Sequence, residues 1–169
     1  MADSKSSANK GYIIGVSALT FLLPVISAAI EYYTCNGSLI MLHSAVFLIA
    51  LLGKWFIFYA VGIRLLLAGI RQIKNPGFTA KEIFHIESDT VLPIVRELGF
   101  ANLCAGLVGI IALFVPQWRI VGAFSSGLYY GIAGLYHFIK KPAGINEQFA
   151  LITDIVIFLL LAVYIVVMF

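Results

Sequence analysis

The chain has 169 residues, of which 62% are hydrophobic and only 11% charged, against about 45–50% and about 25% in soluble domains. So few charges cannot cover a soluble surface; the composition reads as an integral membrane protein and excludes intrinsic disorder, a coiled coil and a disulfide-framework secreted domain. The net charge of +3 comes from scattered basic residues, so nucleic acid is not an expected partner.

Apolar runs near ~20 residues in length, enough to cross a bilayer, occur five times. They are Gly11 to Ile30 with Pro24 inside it, Leu39 to about Ile70 interrupted by Lys54 and Arg64, Val91 to Val115, Trp118 to Ile139, and Phe149 to Phe169. Each is expected to be a helix, because lipid offers an open chain no other way to satisfy its backbone. Turn chemistry separates them: Thr34-Cys35-Asn36-Gly37-Ser38, Asn75-Pro76-Gly77, Pro116, and Lys141-Pro142-Ala143-Gly144. The second run would be ~48 Å long at ~1.5 Å per residue, longer than a ~30 Å hydrocarbon core, so it tilts or projects into the cytoplasm.

Lysine and arginine set the orientation. With the N-terminus inside, the inner segments hold Lys5, Lys10, Arg71, Lys74, Lys81, Lys140 and Lys141, and the outer segments hold Arg119 alone. The predicted architecture is therefore all-α: an integral membrane bundle of five transmembrane helices, N-in and C-out. It forms one transmembrane domain over residues 1–169, with a polar cytoplasmic tail at 1–10 and a cytoplasmic loop at 71–90. The rival for the first span is a cleaved signal peptide ending near Ser27-Ala28-Ala29. In the loop, Thr79-Ala80-Lys81-Glu82 fits a capping box, and Ile83, Phe84 and Ile86 give an apolar face. This predicts a short amphipathic helix at the membrane surface, either a packed connector or a gate over a pocket.

Small residues recur every four positions at Ala101, Ala105 and Gly109, with Asn102 and Gly106 in a neighbouring row, and again at Ala123, Gly127 and Gly131, with Gly134 beyond. Such stripes let helix backbones approach. They predict packing of the third span on the fourth, or homodimerisation through the same faces.

Ionisable groups in lipid are costly and need partners. Arg64, Arg96, Glu97, Asn102, His137 and Asp154 come from four spans yet fall in one layer, the cytoplasmic third. The expectation is a connected polar cluster of Glu97, Asn102, His137 and Asp154 beside Arg64 or Arg96, serving one of three purposes. It fixes helix register, it forms a pocket for a lipid headgroup, quinone or small polar solute, or it relays protons or performs acid–base chemistry through His137 and a carboxylate. Lys54, near the middle of the second span, is expected to bury against the bundle and reach a tyrosine or a carbonyl. His43, Glu31, Tyr32 and Tyr33 read as an outer interfacial belt. Phosphate-binding, zinc-protease, Cys-x-x-Cys and dinucleotide motifs are lacking in the sequence, so no catalytic residue, metal or cofactor is assigned. Cys35 and Cys104 lie too far apart in the topology to pair, and the sequon at Asn36 sits too near the membrane to read as glycosylated. The reading is a non-enzymatic accessory or binding protein whose partners are the bilayer, a small-molecule, quinone or lipid ligand, and further copies or a membrane complex. The alternatives are a membrane-embedded enzyme or a small proton- or ion-coupled transporter.

The stretch Arg96-Glu97-Leu98-Gly99-Phe100-Ala101-Asn102-Leu103, with Gly106 and Gly109, carries a resemblance. So do Trp118, Gly131-Ile132-Ala133-Gly134-Leu135-Tyr136-His137, Asn146 and Thr153-Asp154-Ile155. From roughly Gly69 onward the chain resembles a family of small uncharacterised bacterial membrane proteins, defined only as a domain of unknown function. It departs from that family's pattern at His85 to Pro93, so no shared role is implied for the loop. The resemblance implies a bacterial inner membrane and no particular reaction. A looser likeness to DoxX-type four-helix proteins is an analogy of fold.

Overall fold

The computed structural model describes residues 9–34, 45–142 and 144–169. The described residues form helices and connecting turns, with no strand among them. Helix α1 spans Lys10–Thr34 and α2 spans Ala45–Lys74. Helices α3, α4 and α5 span Leu92–Phe114, Trp118–Lys140 and Ile145–Met168. The tail before Asn9, the turn after Thr34 and His43 lie outside the described residues. The helices alternate in direction. One end of the bundle, the loop end, gathers the start of α1, the 75–91 connector and the residues Lys141, Pro142 and Gly144 between α4 and α5.

Four helices are long and apolar enough to cross a membrane: Lys10–Thr34, Ala45–Lys74, Asp89–Phe114 and Ile145–Met168. Helix α4 has 23 residues, ~35 Å at ~1.5 Å per residue. It falls short in apolarity and not in length, because it carries Arg119, Tyr129, Tyr130, Tyr136 and His137. The molecule's outside is studded with large apolar side chains, among them Ile14, Ile30, Leu67, Ile94, Phe100, Ile132, Leu159 and Val166. That is the surface of a membrane protein.

Two helices widen locally. In α1 a π-helical turn covers Ala18–Leu22, and Pro24 follows with no N–H for the carbonyl four residues back. In α2 a longer π-helical segment covers Ile57–Ile63 and ends at Arg64, whose N–H reaches back to the Tyr59 carbonyl, five residues away. Such segments re-aim the side chains that follow. Here they turn Arg64 inward.

The small residues act, but with different partners from those the sequence suggests. Helix α3 packs most closely on α2, and α4 on α5. On α3 the inward row is Val95, Gly99, Asn102, Gly106 and Gly109, while Ala101 is exposed. A Cβ on Gly109 would stand 2.5 Å from the Gly62 nitrogen of α2, and one on Gly69 would stand 2.6 Å from the Gly99 carbonyl oxygen. On α4, Gly131 accommodates the Phe158 ring and Gly134 the Ile155 side chain. The chain's own helices thus occupy the glycine faces, while Ala101 stays outside them. The core between the helix pairs contains Phe56, Ile57, Ala60, Val61, Ala123, Tyr130, Ile157 and Leu161.

The 75–91 connector folds inward. Its helical turn starts at Pro76, in the first-turn position that proline suits, and widens over Thr79–Ile83. The capping box anticipated at Thr79 does not form, because Thr79 is already inside the helical turn and its side chain caps nothing. Ala80 is fully buried and Thr79 nearly so.

The Gly109 contact has a direct test. Gly109→Leu should push α2 and α3 apart and cost about 1–3 kcal/mol, read as a lower melting temperature of the purified protein. Ala101→Leu, exposed on the same helix, should change stability by no more than ~0.5 kcal/mol.

Candidate functional site

Arg64 projects from α2 directly after its π-helical segment. Its Nη2 donates to Asp154 Oδ1 at 2.9 Å and to Thr153 Oγ1 at 3.1 Å, both on α5. The Thr153 hydroxyl spends its own proton on the carbonyls of Phe149 and Ala150, so it meets arginine as an acceptor. The guanidinium also lies 5.1 Å from the ring centre of Tyr130 on α4. Tyr130 donates its hydroxyl proton to the Ala60 carbonyl at 2.9 Å, the carbonyl that the Arg64 N–H bypasses. The widened turn thus aims the arginine and offers α4 an anchor point. Arg64 Nη1 is buried and has no hydrogen-bond partner.

Two further polar pairs stand nearby. Asn102 Nδ2 donates to Gln72 Oε1 at 2.8 Å, tying α3 to α2. His137 Nδ1 lies 3.1 Å from Glu147 Oε1, tying α4 to α5. Glu147 is fully buried. Its other oxygen is 3.4 Å from His85 Nε2 on the connector, and Lys140 stands 3.8 Å away. His85 itself holds φ at 55°, the left-handed region that a bulky residue enters only when its surroundings hold it there. Lys140 also donates to the Phe84 carbonyl at 3.5 Å. Glu147 therefore fastens the connector to the bundle.

These groups surround a cavity of about 580 Å³ at the loop end, within the range of sites that enclose a small molecule. Arg64, Arg71, Gln72, Asn102, His137 and Asp154 contribute its polar wall, and Tyr12, Val16, Leu19, Leu65 and Ile132 its apolar wall. Phe78, Thr79, Ile83 and Phe84 of the connector close it from the loop side. Leu67, Tyr129, Ile132 and Tyr136 line it and are also exposed, which places its mouth on the lipid-facing flank. Such a wall sets a few charged and amide groups in a mostly apolar chamber, suited to a molecule that is itself partly polar and partly apolar.

The structure thus brings together Arg64, Asn102, His137 and Asp154 around one space, as three hydrogen-bonded pairs and not as one continuous network. It leaves out Glu97 and Arg96, both exposed. The inward row of α3 runs through Val95 and Gly99, and residues one and two positions past Val95 point away from it. Lys54 is also elsewhere. Toward the far end of α2 it makes an ion pair with Glu31, and the Trp55 indole donates to the same carboxylate at 2.7 Å. Its partner is thus a carboxylate, not the tyrosine or carbonyl expected. Gln72 is the residue that sequence reasoning missed: it falls past Ile70, where the second run ends, yet α2 runs on to Lys74 and Gln72 lines the cavity. Glu147 precedes the run that starts at Phe149, yet α5 begins at Ile145 and its carboxylate is the partner of His137. Among the described residues, no group of three or more His, Cys, Asp or Glu side chains is arranged to hold a metal.

The chain belongs to a family of unknown function, DUF6790, which matches residues 14–168. The match reaches well before Gly69, where the motif resemblance began. No curated protein and no solved structure matches the chain.

Two outcomes follow from the buried charges. Asp154→Ala strands Arg64 and should cost about 3–5 kcal/mol of stability, while Arg64→Met combined with Asp154→Leu should recover most of that loss. A melting series on the wild type and these two variants measures this. Glu147→Ala should free the connector, seen as at least about tenfold faster amide hydrogen exchange over residues 78–86 with α2 and α3 still protected.

Proposed function

We propose that this membrane protein is a five-span, N-in and C-out protein of a bacterial inner membrane that binds a lipid-like or small polar molecule in its loop-end cavity, without converting it. The carrying observation is the cavity itself: about 580 Å³, mostly apolar, with Arg64 and Asp154, Gln72 and Asn102, and the Glu147-paired His137 in its wall. A network needed only for helix register would require no space beside it. The orientation rests on charge. Lys10, Arg71, Lys74, Lys81, Lys140 and Lys141 gather at the loop end and Arg119 stands at the other, so the cavity would sit on the cytoplasmic side, with α4 as the fifth span. A quinone, a lipid or a partner membrane complex served by an accessory subunit all fit this reading.

One observation favours a second reading. His137 lines the cavity and is paired to a buried carboxylate at 3.1 Å, the minimum arrangement for general acid–base work. The DoxX analogy would make such chemistry part of an oxidoreductase. A transporter is less well supported, since the cavity wall does not include Lys54 or Glu31.

Native mass spectrometry of the protein extracted with its own lipid tests the binding reading. The wild type should carry a co-purifying small molecule that Ala133→Trp, which fills the chamber, lacks. A wild type without any retained molecule would overturn the reading. A retained molecule of different mass in His137→Gln would favour the enzyme. A C-terminal reporter should be active only on the outer side, and a cytoplasmic C-terminus would sink the five-span topology.

A further inference from the structure

The charged residues lining the cavity do not balance. Arg64 and Arg71 are cations, and Asp154 is the one carboxylate in the wall. His137, the other ionisable cation there, already faces Glu147 behind the wall. Arg64 spends Nη2 on Asp154 and Thr153, and its buried Nη1 has no partner. A buried cationic donor without an acceptor is costly. The planar fork of arginine suits an oxyanion in particular. Arg71 stands two turns along the same face of α2, its guanidinium held 3.5 Å over the Phe78 ring of the connector.

We infer that the cavity takes a single-chain amphiphile with a monoanionic head, of the fatty-carboxylate class, its head on Arg64 and Arg71 and its chain running to the lipid-facing mouth at Ile132. The inference rests on the binding reading above and adds the chemistry of the ligand. One negative charge completes the balance among the lining residues. A doubly charged phosphate would bring its second charge against Asp154, which already sits 2.9 Å from Arg64. The volume also sets the chain. At ~30 Å³ for a water-sized group, 580 Å³ holds ~20 such groups, enough for one acyl chain and not for two. The apolar wall from Leu19 to Ile132 matches that chain, and its exposed edge lets the ligand arrive from the bilayer without crossing water.

The test uses the full chain in phosphatidylcholine nanodiscs, with a diazirine-bearing long-chain fatty acid and the fatty alcohol of equal length as probes. After photolysis, the acid should label peptides covering residues 11–19 and 129–137 about tenfold more than the alcohol, the ratio that one charge-assisted contact gives. Unlabelled palmitate should compete and acetate should not. The paired variant Arg64→Gln/Asp154→Asn, which removes both charges together, and the single variant Arg71→Gln at an exposed position should each bring the ratio toward one. Equal labelling of those peptides by acid and alcohol overturns the anionic head and leaves the binding reading standing. Absence of labelling there by both probes overturns the binding reading and this inference with it. Competition by acetate as strong as by palmitate overturns the chain, and stronger competition by lysophosphatidate than by palmitate overturns the single charge.

Discussion

A guanidinium and a carboxylate meeting in an apolar bundle is the contact on which the arrangement depends. Arg64 and Asp154 are both largely buried, and an unpaired ion at such a place costs several kcal/mol even after relaxation. The two residues are 90 apart in sequence, so their pairing ties α2 to α5 across the cavity that both side chains line. Thr153 beside the pair and Tyr130 over it supply the remaining contacts. The pair is also incomplete, because one terminal nitrogen of the arginine has no acceptor among the described residues. A site built for structure alone has reason to satisfy that nitrogen, whereas a binding site has reason to leave it.

Lipid provides little hydrophobic drive for helix association, so close backbone packing must supply it. Helices α2 and α3 touch through Gly62, Gly69, Gly99, Gly106 and Gly109, where backbone meets backbone. The pair α4 and α5 instead seats the large side chains Phe158 and Ile155 against glycines. The two pairs share the apolar core below the cavity. Helix α1 is bound mainly along its second half, against α2, while its start leans on α5 through the Asn9–Asn146 hydrogen bond and an edge-on Tyr12–Phe149 contact. That looser start leaves room for the chamber between α1 and the other helices.

The connector completes the enclosure. Its hold depends on Glu147, which receives His85 from the connector and His137 from the cavity wall on its two oxygens. One buried carboxylate thus couples the position of the covering segment to a residue that faces the chamber. Any ligand group that engaged His137 would act on the same carboxylate that holds the cover.

Much was settled by the order of residues alone. Composition and the apolar runs fixed a helical membrane protein, since length and hydropathy are local quantities and lipid leaves the backbone one solution. Arg64, Asn102, His137 and Asp154 stood out because a polar side chain in such a run is costly wherever it points. The tertiary structure decided which way each one points and whom it meets. Glu97 and Arg96 were credible on depth but fall outside the inward row of α3, because the glycines at 99, 106 and 109, and not the alanines at 101 and 105, find a partner backbone. Lys54 paired with Glu31, a residue that composition assigned to an interfacial belt. Gln72 was hidden by a helix end, which depends on neighbours as much as on local sequence. The chamber itself has no sequence signal, because it is the space left when five helices settle at the distances their small residues permit.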